Sequence, residues 1–136
     1  MKTLYCCKIR FDKLNIFLAS SVKGAVRVGM DWADNNVHPV QYFKRYFPFY
    51  KLLLEESYNL PLIAEVRNVL LGGRDVKIPI DASFTPFQLR VMNAIRQIPF
   101  GQTLTYKDIA LMISKPQAFR AVGQALRRNP LPLLFP

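Results

Sequence analysis

The sequence predicts an α+β fold, a small N-terminal antiparallel sheet with helices followed by a helical C-terminal domain, and three observations carry that expectation. Short runs of strand-forming residues separated by turn residues fill the first quarter of the chain. Apolar residues recur at three and four from Phe84 onward. One pattern gives way to the other near Asp81 to Phe84, so residues 1–82 and 83–136 form two expected domains.

Thr3 to Ile9 and Asn15 to Ala19 are strand-like, Ser20 to Gly24 is a turn, and Ala25 to Trp32 is a third strand closed by Asp34, Asn35 and Asn36. An antiparallel meander is the simplest arrangement of these three. After Pro39, Val40, Phe43, Phe47 and Tyr50 to Leu54 give an aromatic-rich helical stretch interrupted at Pro48. A further helix is expected from Pro61 to Leu71, with Gly72 and Gly73 as its C-cap, and Val76 to Ile80 reads as a last short strand. The aromatic residues fall at helical or alternating spacing, which assigns them to a core rather than to a base-stacking surface.

The second domain opens with Thr85, Pro86 and Gln88: a capping hydroxyl, a proline in the first turn and a glutamine at the third position. The helix they start should bury Phe87, Val91, Ala94, Ile95 and Ile98 before Pro99, Phe100 and Gly101 break it. Thr105, with Asp108 three residues on, starts another helix near Tyr106. Ile109, Ala110, Met112 and Ile113 give that helix a core-facing stripe ending at Ser114. The spacing of Ser114, Lys115, Pro116 and Gln117 is that of another helix start. Ala118, Ala121, Val122, Ala125 and Leu126 then form one apolar face, while Arg120, Gly123, Gln124 and Arg127 fall on the other side. Glycine inside a helix costs about 1 kcal/mol relative to alanine, and close approach of a partner to this backbone is one way to offset it. Two short helices joined by a turn, the second rich in arginine, suit a nucleic-acid-binding helix-turn-helix of winged-helix-like kind. An ordinary solvated basic face fits the same pattern equally well.

Charge favours the first of these. The chain of 136 residues carries a net +10, and its shorter C-terminal part holds the larger excess. Residues 1–83 carry 12 basic and 8 acidic side chains, a net +4, whereas residues 84–136 carry 7 and 1, a net +6. A polyanion such as double-stranded DNA is the natural partner, with affinity falling as salt rises. An anionic membrane surface is disfavoured because the basic helix lacks a large aromatic or leucine face. No apolar run reaches the about 18 residues of a membrane span, and the N-terminus is charged too early for a signal peptide, so a cytoplasmic or nuclear protein is expected. Cys6 and Cys7 are adjacent and in a strand, which suits reduced structural thiols, and the single histidine, His38, gives little support for a metal site. No phosphate loop, dinucleotide fingerprint or serine-histidine-acid set is visible, so no cofactor is expected.

PFGQTLTYKDIA (Pro99 to Ala110), RAVGQAL (Arg120 to Leu126) and NPLPLLFP (Asn129 to Pro136) stand in the order and spacing of one family. They resemble the C-terminal domain of the O6-alkylguanine-DNA alkyltransferases, also called methylated-DNA–protein-cysteine methyltransferases, and the likeness runs from Phe84 to Pro136. The resemblance implies a protein, expected to be a monomer, that binds double-stranded DNA through the minor groove and turns O6-alkylguanine out of the stack. On that likeness Arg120 matches the arginine that fills the place of the flipped base, a role a planar cation suits. Tyr106 matches the tyrosine pressing on the neighbouring phosphate, and Gly123 the glycine permitting close groove contact. Ala121, Gln124 and Arg127 complete the expected DNA-binding set. Asn129 matches the asparagine that braces the loop beside a reactive cysteine; by itself, Asn-Pro is a plain helix stop and turn. Phe119 departs from the smaller side chain common in the family and alters the expected fit to the groove.

In the family the last block runs into a Pro-Cys-His-Arg-Val motif whose cysteine accepts the alkyl group, which places that cysteine directly after Pro136. The thiolate is activated by a histidine held in turn by a glutamate. Two readings follow: a one-turnover repair enzyme whose nucleophile lies beyond Pro136, or a non-enzymatic, alkyltransferase-like protein that binds alkylated DNA. A transcriptional helix-turn-helix is disfavoured, because groove reading alone has no need of NPLPLLFP.

Overall fold

Alternation along the first three strands dictates which side chains face each side of the sheet, and pairing fixes their register. Thr3–Phe11 (β1), Leu14–Ser21 (β2) and Gly24–Trp32 (β3) form the expected antiparallel meander, with Cys7 opposite Leu18 and Leu18 opposite Val28. The computed structural model describes residues 1–73, 77–99 and 102–134 and divides the chain into two units, Met1–Ala82 and Ser83–Pro136.

In the first unit the sheet has the order β3-β2-β1-β4, where β4 is Lys51–Leu54, parallel to β1. Here the structure corrects the sequence reading, which placed Tyr50 to Leu54 in a helix. A short leucine run suits either state, and the open edge of β1 decides the matter. The backbone N–H of Lys51 donates to the carbonyl of Lys2 (2.9 Å) and that of Glu55 to Cys6 (3.0 Å). The proposed strand from Val76 to Ile80 is also corrected. Val76 lies outside the described residues, and Ile80 makes only an isolated parallel bridge with Ala25.

One face of the sheet is covered by Pro39–Lys44 (α1). His38 caps that helix, its Nδ1 accepting from the N–H of Val40 (3.1 Å), and Pro39 occupies the first turn. Cys6, Phe17 and Ala19 pack there against Tyr42 and Phe43, with the Tyr42 ring stacked on Phe17 at 4.1 Å between centroids. On the opposite face Tyr5 stacks on Tyr58 (3.9 Å), just before the helix Leu60–Leu70 (α2), which buries Leu62, Ile63 and Val66. Gly72, at φ 99°, follows that helix in the left-handed conformation expected of a C-terminal glycine.

The second unit begins with the predicted cap. Thr85 Oγ1 accepts from the N–H of Gln88 (3.1 Å) and Gln88 Oε1 from that of Thr85 (3.0 Å), opening Pro86–Ile95 (α3). This helix buries Val91, Met92, Ala94 and Ile95, while Phe87 and Ile98 are half-buried. Met92, which the periodicity left out, joins the core, and Phe87 stays at its margin. The helix also stops at Ile95, ahead of Pro99; Phe100 and Gly101 lie outside the described residues.

Gly29 on β3 is set by the aromatic stack. A Cβ built there would lie 1.9 Å from the Tyr42 hydroxyl oxygen, inside van der Waals contact. Gly29→Ala is expected to destabilise the first unit by about 1–3 kcal/mol through overpacking, read as a lowered urea midpoint.

Candidate nucleic-acid interface

Tyr106–Met112 (α4) starts where the sequence placed it. Thr105 Oγ1 accepts from the N–H of Asp108 (3.1 Å), and Asp108 Oδ2 accepts from that of Thr105 (2.9 Å). Hydrogen bonds from the backbone and then the side chain of Thr105 hold the Asp108 carboxyl below its ordinary pKa. Ile109, Ala110 and Ile113 are buried as expected, but Met112 is exposed, because the helix gives way to a turn there and the core contact passes to Ile113.

The end of α4 corrects the reading of Ser114 to Gln117 as a helix start. Ser114 adopts φ 60°, its N–H donating to Leu111 (3.0 Å) and the N–H of Lys115 to Ala110 (2.9 Å). That is the 5→2 and 6→1 pairing of a Schellman ending. Ser114 therefore closes one helix rather than opening the next. Lys115 to Ala118 make a turn with Pro116 at its second position, closed by the N–H of Ala118 donating to Lys115 (2.9 Å). Phe119–Arg127 (α5) then begins after Ala118 without a side-chain cap.

At about 100° per residue, Arg120, Ala121, Gln124 and Arg127 of α5, with Arg128 just past its end, share an arc of about 120°. All five are exposed, while Val122, Gly123 and Ala125 are buried. Ala121 thus leaves the apolar face assigned to it and joins the basic one. Ala118 and Leu126 are only half-buried. Gly123 moves the other way. It is buried against Tyr106, and a Cβ there would stand 3.0 Å from Tyr106 Cε2 and 3.2 Å from Cδ2. The glycine thereby lets the ring of Tyr106, a residue 48% exposed, lie close against the α5 backbone.

Supporting contacts complete the geometry. Arg90 of α3 donates through Nη2 to the carbonyl of Ile113, satisfying a group at the end of α4. Lys107 Nζ lies 5.4 Å from the Phe119 ring centroid, so the larger residue at 119 packs beneath a lysine. Asn129 Oδ1 accepts from the N–H of Leu131 (2.9 Å), bracing the segment in which Leu131 and Leu134 are buried. Sequence reasoning passed over Arg90 and Arg128. Arg128 was recoverable, lying eight residues from Arg120 on the same face, whereas the bond of Arg90 spans 23 positions and has no local signal.

Among the described residues no carboxylate pairs with Arg120, Arg127 or Arg128. The single acid of residues 84–136, Asp108, is engaged at the start of α4. The face can therefore offer its positive charge to a polyanion without first breaking an ion pair. Cys6 and Cys7 belong to the first unit and are buried in β1. Burial raises the Cys6 thiol to about 12, with Cys7 beside it adding to the rise, and burial and then Glu56 raise Cys7 to about 11. Neither is a reactive thiolate at neutral pH. The described residues bring together no group of three or more metal-ligating side chains, and none of their helices is long and apolar enough to cross a membrane.

A sheet-and-helix unit followed by a helical unit with this exposed basic face defines a class: two-part proteins whose second part is suited to a polyanion. Residues 86–136 match the family described as 6-O-methylguanine DNA methyltransferase, DNA binding domain. The inducible methylated-DNA–protein-cysteine methyltransferase of Bacillus subtilis is 38% identical over 137 residues, covering 98% of this chain and 75% of that protein. The constitutive enzyme of the same organism is 46% identical over 86 residues, 60% of this chain and 52% of its own length. Crystal structures share the fold: O6-methylguanine methyltransferase of Mycobacterium tuberculosis superposes with a TM-score of 0.70 at 22% identity, over 98% of this chain and 75% of that one. The same organism's protein in complex with DNA gives 0.69 at 21%, over 98% and 74%. The chain belongs to the methylated-DNA–protein-cysteine methyltransferase family.

Thr105→Ala is expected to cost about 0.5–2 kcal/mol of stability in chemical denaturation, the ordinary loss for a helix cap. Because the folded-state pKa of Asp108 is depressed, its contribution is present above the carboxylate's unfolded pKa and lost as pH falls through the folded one. Asp108→Asn should therefore lower stability at neutral pH and flatten the acid limb of a stability-against-pH curve; an acid limb identical to wild type would contradict this.

Proposed function

We propose that this protein repairs O6-alkylguanine in double-stranded DNA, entering the minor groove with α5, turning the damaged base out and taking its alkyl group onto a cysteine that follows Pro136. The observation that carries the reading is the exposed arc of Arg120, Ala121, Gln124 and Arg127, free of carboxylate partners among the described residues and set beside Tyr106 through Gly123.

O6 of guanine is inaccessible inside a stacked duplex, so chemistry there requires extrusion of the nucleotide. Arg120 enters the gap, where its guanidinium stacks on flanking bases and hydrogen-bonds the orphaned cytosine. Tyr106 presses on the phosphate beside the flipped nucleotide. Gly123 serves this by seating the tyrosine ring against α5. Asn129 holds the Leu131 backbone and so fixes the approach to the segment that carries the nucleophile. In the transfer itself the thiolate sulfur bonds to the alkyl carbon as the carbon–O6 bond breaks. The electron pair stays with the guanine, which takes up a proton, and the cysteine becomes a thioether. The protein is consumed in one turnover, needs no cofactor, acts as a monomer and works in whichever intracellular compartment holds the DNA.

Intact-mass measurement of the full-length protein before and after incubation with an O6-methylguanine duplex tests the chemistry. A gain of one methylene unit is expected; tight binding of the alkylated duplex with no change in mass would instead make this an alkyltransferase-like damage-recognition protein. Separately, Arg120→Ala is expected to weaken binding of undamaged duplex, with the slope of log K against log salt shallower by about one. Its unfolding midpoint should stay near wild type, since an exposed arginine without a carboxylate partner carries little stability.

A further inference from the structure

We infer that the first unit carries a second surface for the phosphodiester backbone of DNA, built from Arg27 and Arg45 around Tyr46. This rests on the reading of the chain as a DNA-binding protein.

Arg27 projects from β3 on the side of the sheet that α1 covers, and its guanidinium carbon lies 3.8 Å above the Tyr46 ring centroid. Arg45, just past α1, lies 5.2 Å from the same centroid and 4.5 Å from that of Tyr42. Its Nε donates to the Tyr42 carbonyl (3.2 Å), fixing the plane of the group. Two cations are therefore held on one aromatic ring, no farther apart than the sum of their distances to it, and two unit charges so placed repel. Stacking on the ring faces offsets part of this repulsion.

A carboxylate would be the ordinary remedy, yet among the described residues none pairs with either guanidinium. Asp31, the acid farther along β3, is engaged elsewhere: its Oδ1 accepts from the N–H of Trp32 and from Asn35 Nδ2, both at 2.8 Å. The groups around Tyr42 repeat the pattern. Burial raises its hydroxyl pKa and the neighbouring Tyr46 adds to the rise, while the charges that pull it back are Arg45 and Arg27. Arg45 and Tyr46 are exposed and Arg27 is half-buried, so the cluster is open to a large partner.

A phosphate suits this arrangement for a geometric reason. The guanidiniums are held against the tyrosine rings, and the N–H groups along their edges are donors that phosphate oxygens accept in pairs. Tyr46 is itself exposed, as is Lys44, which precedes Arg45 in the chain, and neither requires any particular base. Contacts of this kind position a protein on a duplex and carry no sequence information.

The test is the salt dependence of binding of the full-length protein to an undamaged duplex. Replacing both arginines by glutamine, Arg27→Gln with Arg45→Gln, is expected to make the slope of log K against log salt shallower by about two. Replacing both by lysine should restore most of the slope, since the charges return. An unchanged slope in the glutamine pair overturns the assignment, and so does a lysine pair that falls in step with it, which would mean that the arginines act only through packing of the sheet. Inorganic phosphate titrated against the chemical shifts of the arginine side chains provides another arm. Saturable shifts without any effect on the DNA slope mark a small-anion site and also overturn the DNA assignment. Failure of the wild-type protein to bind duplex at all would instead sink the reading of α5; wild-type binding with an unaltered slope in the glutamine pair sinks only this surface.

Discussion

The close approach of the Tyr106 ring to the backbone of α5 at Gly123 is the constraint on which the candidate interface depends. With any side chain at 123, a carbon atom would press on the ring at 3.0 Å, and either the tyrosine or the helix would have to move. Both elements are otherwise fixed. The reciprocal Thr105–Asp108 bonds set where α4 starts, and the Schellman ending at Ser114 sets where it stops. Arg90 reaches from α3 to the carbonyl at that end, so the position of Tyr106 is tied to α3 and α4 as well as to α5. Gly123 is thus less a tolerated defect in a helix than the space in which a half-exposed tyrosine is held.

Electrostatics act on that frame without distorting it. The second unit carries a single acid, engaged by the cap of α4, and the arginines of α5 are left without carboxylate partners among the described residues. Desolvating a paired charge is costly, whereas releasing counterions from DNA is favourable, so an unpaired basic face is suited to a polyanion. The first unit repeats this logic with different means. There the charges of Arg27 and Arg45 are steadied by tyrosine rings rather than by helix geometry.

Two of the three capping signals in the C-terminal part were legible as written. Thr85 with Gln88 and Thr105 with Asp108 each make both bonds of a capping box. The third, at Ser114, has the same spelling and a different outcome. The local pattern could not show that Ser114 would be taken up by the preceding helix, in a left-handed conformation usually left to glycine. Arg120, Gln124 and Arg127 were found at their places on the basic face from periodicity alone. Gly123 and Ala121 changed sides because both lie at the margins of their arcs, where a neighbour decides: Tyr106 covers the first, and nothing among the described residues buries the second.

The amino-acid sequence by itself determined the three-strand meander, the start of each capped helix and the concentration of charge in the last 53 residues, because alternation, hydroxyl caps and composition act over a few neighbouring positions. Tertiary structure alone decided that Lys51–Leu54 would be a strand, since a leucine run takes the form its partner offers and the partner is the edge of β1, some fifty residues away. It also decided that Tyr106 would lie against Gly123 and that two arginines distant in sequence would share one tyrosine. Those contacts join positions far apart along the chain, and no local periodicity records them.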